Sequence, residues 1–387
     1  MDITRTVQDR ISAFLQPQKA AIILGPRRVG KTVLMRQIRS AFESAGGKTL
    51  LLNGEDYDTH TLLEQRSVAN YQRILDGVDL LALDEAQNVP GIGQKLKLMV
   101  DEIPHIRIIA TGSSAFDLDH QTGEPLVGRS MRFRLFPFTQ KELGVTENAL
   151  QTRQHLEDRL VYGSYPEVIF IQGYEQKAQY LKEIVNSYLL KDILAFEGIK
   201  NSGKLLNLLR LVAFQMGSEV SYDELGRQLG MNKNTVEKYL DLLAGTMIIY
   251  RLGAYAGNLR KEVTKAGKWY FYDNGIRNAV IGSFSPLALR QDTGLLWESY
   301  CVGERIKNGF HQGLDREYFF WRTYDGQEID LIEKTGGSFA GSSGGGLAAF
   351  EFKWTEKKLK VPVAFAKAYP GVEYRQISRE NYADFVG

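Results

Sequence analysis

The chain has one cysteine, Cys301, in 387 residues, so no intrachain disulfide can form and no zinc site can be built on cysteine. A reducing compartment suits that usage. Net charge is also nearly lacking: 48 Lys and Arg against 46 Asp and Glu leave +2. No global field therefore draws the protein to nucleic acid, and any such binding must come from local patches. No apolar run approaches the ~18 residues that a membrane span needs. Residues 1–11 are charged and polar, which is wrong for a signal peptide. A soluble, cytoplasmic protein without a membrane partner is expected. Hydrophobic content of 43% and charged content of 24% exclude a largely disordered chain.

What is present is too long for one core, since domains run to about 100–200 residues each. Apolar strands at residues 20–24, 49–52, 80–83 and 106–110 alternate with amphipathic helical stretches, the pattern of a parallel α/β sheet. Beyond about residue 140 come long helical segments, including 177–195 and 204–216. Two short helices around a tight turn come next at 221–250, then a β-rich stretch, then a new α/β pattern from about residue 294. The fold class expected is α/β, with a parallel-sheet domain at 1–145, a helical and winged-helix middle at 146–285, and a second α/β domain at 286–387. Between 336 and 346, six of eleven residues are Gly and three are Ser, a flexible tether between two strands.

Gly25-Pro26-Arg27-Arg28-Val29-Gly30-Lys31-Thr32 matches G-x-x-x-x-G-K-[ST] between an apolar strand and a helix. Glycines let backbone N–H groups close around phosphates, Lys31 reaches the terminal phosphates, and the Thr32 hydroxyl can ligate Mg²⁺. Gly25, Pro26, Arg28, Val29, Gly30, Lys31 and Thr32 are thus the expected nucleotide cradle. The partner motif is residues 79–85, a buried strand delivering Asp84 and Glu85 at its C-terminal end. Asp84 would hold Mg²⁺ and Glu85 would polarise the attacking water. A fourth strand ends in Thr111-Gly112-Ser113-Ser114, where a hydroxyl could sense the γ-phosphate; Ser113 is the candidate.

This trio resembles the AAA+ class of P-loop ATPases, and the continuation Gly128-Arg129-Ser130-Met131-Arg132 strengthens the match. The resemblance implies an arginine that completes the site of a neighbouring subunit, because transition-state charge on the γ-phosphate needs a cation. Arg129 is the first choice and Arg132 the second. The other reading of these arginines is a solvated strand edge or a nucleic-acid contact.

In the middle, Ser221 and Glu224 have capping-box spacing, Gly230 breaks the helix, and Asn232 can cap the next, along which Val236, Leu240 and Leu243 recur. This reads as a helix-turn-helix, with residues 247–252 and 268–272 as a wing. The exposed set on its second helix, Lys233, Asn234, Glu237, Lys238 and Asp241, is nearly neutral, which argues against base reading. Arg251, Arg260, Lys261, Lys265 and Lys268 on the wing are better candidates for the nucleic-acid backbone. A plain packing or oligomerisation module is the alternative.

Past Gly294, Glu298 lies on a helical stretch, Asp330 on a strand, and Glu351 and Lys353 on one face of another strand, since side chains alternate with period two. This D…ExK set resembles the PD-(D/E)xK restriction-endonuclease fold. The resemblance implies Mg²⁺ held by Asp330, Glu351 and the helical Glu298, with Lys353 positioning water. Together with Tyr165-Pro166-Glu167, Lys191-Asp192-Ile193 and Trp321-Arg322, the order of motifs resembles a prokaryotic family of AAA-like ATPases carrying a C-terminal endonuclease-fold domain. Likeness to that family implies ATP and Mg²⁺ as cofactors, DNA (single-stranded, duplex or branched) as partner, and a homo-oligomer. Two further readings stand: a nucleotide-controlled switch that binds a protein, and a DNA-junction binder whose nuclease fold does not cut.

Overall fold

The computed structural model describes residues 3–112, 126, 128–189, 202–256, 267–336, 346–356, 358 and 360–386. The chain forms two compact units, one of residues 1–136 with 245–247, the other of residues 137–244 with 248–387. The mixed α/β class read from the sequence is the class found.

The first unit is built on five strands: β1 (Lys19–Leu24), β2 (Thr49–Asn53), β3 (Leu80–Asp84), β4 (Arg107–Gly112) and β5 (Ser130–Arg134). Their order is β2-β3-β4-β1-β5 and every pairing is parallel. β1, β3 and β4 are buried along almost their whole length, which is why they read as unbroken apolar runs. β5 is not among the expected strands. It lies at the sheet edge with Met131, Arg132 and Arg134 exposed and Phe133 buried, too polar for an apolar-run criterion. Because β4 sits between β1 and β3, the C-terminal ends of three strands distant in sequence open side by side, the usual place for a ligand in such sheets.

The second unit carries a six-stranded mixed sheet of β6 (Ile249–Ala254), β7 (Lys268–Phe271), β8 (Arg316–Arg322), β9 (Glu328–Thr335), β10 (Leu347–Phe352) and β11 (Glu373–Ile377). The order is β11-β10-β9-β8-β6-β7. β8, β9 and β10 pair antiparallel in succession, and β11 joins β10 in parallel. Trp321, Ile329, Ile332, Ala349 and Phe365 form a buried cluster on the sheet. The helix Thr293–Gln312 buries thirteen of its twenty residues, and Trp297 within it donates from Nε1 to the Ile377 carbonyl at 3.3 Å.

The two short helices fall at Tyr222–Leu229 and Lys233–Gly245, with Gly230 in the left-handed region at φ 58° and Ser221 and Asn232 as caps. The expected wing strands are not a free hairpin. β6 pairs with β7 on one side and in parallel with β8 on the other, Gly253 opposite Phe319. One sheet therefore runs through the expected boundary at 285/286. Lys268 is buried, so it is not a contact for a DNA backbone, while Arg260, Lys261 and Lys265 lie outside the described residues. The segment 177–195 holds the end of the helix Tyr174–Glu183 and a π-helix at Ile184–Leu189; Lys191-Asp192-Ile193 lies outside the described residues.

The turn at Gly163 and Ser164 is fixed by Asp273. Gly163 adopts φ 71° and ψ −160°, a region open only to glycine, and a Cβ there would stand 2.0 Å from Asp273 Oδ1. The Asp273 carboxylate accepts the Ser164 N–H at 2.7 Å and caps the helix Asn274–Ile281 through the Ile276 N–H at 3.1 Å. Burial pushes its acid up from the ordinary range against the pull of these donors.

Candidate functional site

The residues with G-x-x-x-x-G-K-T spacing fill the turn between β1 and the helix Lys31–Ser44. A Cβ on Gly25 would stand 2.2 Å from the Leu135 carbonyl oxygen, so backbone contact excludes any side chain there. Arg28 and Gly30 are left-handed, at φ 67° and 94°, and Gly30 is the helix N-cap. This curls the loop over the positive end of the helix. Lys31 is buried and donates to the Gly25 and Pro26 carbonyls, each at 3.0 Å, so its ammonium folds back across the loop.

Thr32 donates to Asp84 Oδ1 at 3.1 Å. The same oxygen accepts the Thr111 hydroxyl at 2.5 Å, and Thr111 Oγ1 in turn accepts the Glu85 N–H at 2.9 Å. One fully buried threonine on β4 thus joins Asp84 at the end of β3 and Glu85 just after it. Glu85 is left-handed at φ 46°, an uncommon conformation for a non-glycine residue and one found at functional positions. Gln87 Nε2 donates to its Oε2 at 2.5 Å. A hydroxyl and a carboxylate within 3.1 Å, both hard oxygen donors, fit a Mg²⁺ ion held by Thr32 and Asp84.

Sequence reasoning leaves three members of this site unassigned. Thr111 has no signal beyond its place in a Thr-Gly-Ser-Ser turn, and Ser113 and Ser114 lie outside the described residues. Gln87 has no motif of its own. Arg5 is buried, donating to the Val29 carbonyl at 3.0 Å and the Phe136 carbonyl at 2.5 Å, which fixes the loop from beneath. A lone arginine before the first helix gives no pattern to find it by. Arg129 pairs through Nε with Asp101 of the helix Ile92–Glu102 and is partly exposed; Arg132 is exposed on β5.

The second expected constellation lies in the other unit. Asp330 is on β9, Glu351 on β10 with Lys353 just past its end, and Glu298 on the helix Thr293–Gln312. Asp330 Oδ2 accepts the Phe352 N–H at 2.8 Å. Lys353 Nζ stands 2.5 Å from Glu351 Oε1, and Tyr374 donates to Glu351 Oε2 at 3.4 Å. Tyr270 donates to Glu298 Oε1 at 2.5 Å, and Lys268 Nζ lies 3.8 Å from that oxygen. Burial first, then the charges of Glu298 and Glu351, push the Asp330 acid well above the usual carboxylate range. Burial likewise raises Glu298. Burial works against the Lys268 ammonium, but Glu298 and Glu328 outweigh it and hold its pKa above the ordinary value.

The expected residues are therefore neighbours, yet the metal centre expected of Glu298, Asp330 and Glu351 does not take shape. Among the described residues no group of three or more His, Cys, Asp or Glu side chains is arranged to hold a metal ion. Proton donors engage Glu298 Oε1, Asp330 Oδ2 and both oxygens of Glu351. Unlike the hydroxyls beside Asp84, two of the neighbours are ammoniums, Lys353 on Glu351 and Lys268 3.8 Å from Glu298. The donor set does not fit a divalent ion. Lys268 and Tyr270 are members that sequence reasoning misses. A single cation inside the apolar strand Lys268–Phe271 is the available signal, since a buried lysine needs a partner.

Residues 17–144 match a family model described as AAA domain. Residues 153–287 and 293–379 match two models, each described as a domain of unknown function (DUF8612 and DUF4143). The chain is similar to an uncharacterized protein of Mycobacterium tuberculosis, 25% identical over 86% of this chain and 71% of that protein. It is also similar to an uncharacterized protein of Haemophilus influenzae, 26% identical over 81% of this chain and 79% of that one. Among solved structures it is similar to AMPPCP-bound DnaA from Aquifex aeolicus, at 17% identity and a TM-score of 0.31, covering 62% of this chain and 85% of that chain. Among the described residues no helix is long and apolar enough to cross a membrane. An AAA-type P-loop domain thus occupies the N-terminal part of the chain.

Proposed function

We propose that the protein is a cytoplasmic, Mg²⁺-dependent ATPase of the AAA type that binds DNA and assembles as a ring or dimer. The observation that carries the ATPase reading is the hydrogen bond from Thr32 to Asp84, with Lys31 folded over the loop beside it. ATP phosphates would lie against the loop N–H groups, and Lys31 would exchange the Gly25 and Pro26 carbonyls for phosphate oxygens. Thr32 and Asp84 would hold Mg²⁺, which supplies charge neutralisation at the phosphates. Glu85 would orient the attacking water, its backbone fixed through Thr111 and its carboxylate through Gln87.

DNA is supported more thinly, by features of the second unit. Asp330 and Glu351 lie on the adjacent strands β9 and β10 with Lys353 just past the end of β10, which supports the endonuclease-fold resemblance. Lys358 and Lys360 come after that set and are exposed; Lys357 lies outside the described residues. The test is ATP turnover with and without single-stranded, duplex and forked DNA. Stimulation by DNA, with binding that weakens by roughly 0.9 log unit per log unit of salt for each phosphate contacted, supports the reading. Turnover indifferent to every DNA form, with no salt-sensitive binding, favours the second reading, a nucleotide switch whose C-terminal part binds a protein. The near-neutral exposed face of the helix Lys233–Gly245 speaks for that alternative.

A further inference from the structure

We propose that Lys268 takes the place of a divalent cation in the C-terminal carboxylate cluster, so that this site is complete without metal and its unit binds without cutting. The proposal rests on the endonuclease-like reading of this region only for the choice of site.

Lys268 is not a surface pairing residue. Its side chain is 3% exposed, its Nζ contacts Glu328 Oε1 and lies 3.8 Å from Glu298 Oε1, and it sits 5.2 Å from the centre of the Phe320 ring. Tyr270, two residues further along β7 and so on the same face, donates to the same Glu298 oxygen at 2.5 Å. At the other end Lys353 stands 2.5 Å from Glu351 Oε1. Glu298 Oε1, Asp330 Oδ2 and both oxygens of Glu351 are each engaged by a proton donor. Mg²⁺ and Mn²⁺ need such oxygens turned toward them at close, regular geometry. They would also enter against two ammonium charges.

Three cations offset most of the carboxylate charge without a metal. Glu298, Glu328, Asp330 and Glu351 face the ammoniums of Lys268 and Lys353, and Arg322 Nε lies 3.8 Å from Glu328 Oε2. Lys268 comes from β7, outside the run of elements that carries the D…ExK set. It is brought in from the far edge of the sheet, beyond β6.

The test is a Mn²⁺ titration of the full-length, nucleotide-free protein, reading the free hexaquo ion by electron paramagnetic resonance, in wild type, Asp330→Asn and Lys268→Met. Wild type and Asp330→Asn are expected to give the same isotherm, with no submillimolar site that depends on Asp330. Lys268→Met is expected to gain at least tenfold in Mn²⁺ affinity, and adding Asp330→Asn to it should remove the gain. A submillimolar site in wild type that Asp330→Asn abolishes overturns the proposal, and so does a folded Lys268→Met protein with the wild-type isotherm. Should Lys268→Met fail to fold, the comparison of wild type with Asp330→Asn decides alone. Neither DNA nor ATP enters the readout, so failure of the DNA reading is separable from failure here.

Discussion

Thr111 and Asp84, on neighbouring parallel strands, share a buried hydrogen bond of 2.5 Å, and Thr111 accepts the Glu85 N–H at 2.9 Å. The two carboxylate residues therefore have a common anchor. Thr111→Val keeps the shape but removes both bonds. An unsatisfied buried donor costs about 1–3 kcal/mol. Loss of stability in that range is expected by chemical denaturation, together with a fall in kcat larger than any rise in KM for ATP.

Lys31 and Glu85 should separate binding from turnover. Lys31→Ala removes the cation at the phosphates and is expected to abolish ATP binding in a fluorescent-nucleotide titration. Glu85→Gln keeps the side chain's size and should bind ATP normally while hydrolysis falls by at least about 10²-fold, the contribution of general-base catalysis. Wild-type turnover in Glu85→Gln would remove Glu85 from the mechanism.

Arg129 rests against Asp101 within its own unit and is partly exposed. If it serves a neighbouring subunit, ATPase activity per chain rises with protein concentration. Mixing Arg129→Ala with Lys31→Ala protein then restores part of the activity, because each supplies what the other lacks. Concentration-independent turnover in a strictly monomeric sample would refute the role.

Gly163→Ala should be among the most destabilising single-methyl additions in the protein. It combines a glycine-only backbone conformation with a Cβ placed 2.0 Å from Asp273. A loss above about 2 kcal/mol is expected in urea unfolding, with ATP binding unchanged in the protein that remains folded.

Asp292 joins two buried guanidiniums, Arg277 at 2.6 Å and Arg290 at 2.8 Å. Burial opposes its charge, but Arg290 and Arg277 prevail and hold its acid below the ordinary 3.8. A depressed carboxylate contributes stability that is present above the unfolded pKa and lost as pH falls through the folded one. Wild type should therefore lose this contribution only below about pH 4, while Asp292→Asn lacks it at neutral pH, by roughly 3 kcal/mol, since both arginines remain buried. Thermal melts from pH 3 to 8 check the convergence.

The candidate nucleotide site was legible because its chemistry is local. Gly25 to Thr32 and Asp84-Glu85 are short runs whose residue types state their geometry, and the buried strands of a parallel sheet read as apolar runs. What escaped depends on the third dimension. Thr111 became a partner of Asp84 only because β4 inserts between β1 and β3. Arg5 reaches the loop from a segment with no motif. Lys268 looked like a wing cation because Lys-Trp-Tyr-Phe does not reveal that β6 pairs onward with β8. The D…ExK residues were found by spacing, but spacing is blind to lysines arriving from elsewhere.

The continuity of the second sheet bears on how this protein can be dissected. A fragment starting near residue 286 would leave the β6-facing edge of β8 bare and open to intermolecular pairing. It would also discard Lys268 and Tyr270, removing their contacts with Glu298 and leaving Glu328 with the more distant Arg322. Such a fragment should precipitate or scavenge divalent ions, and a cleavage assay run on it would report the chemistry of the truncation.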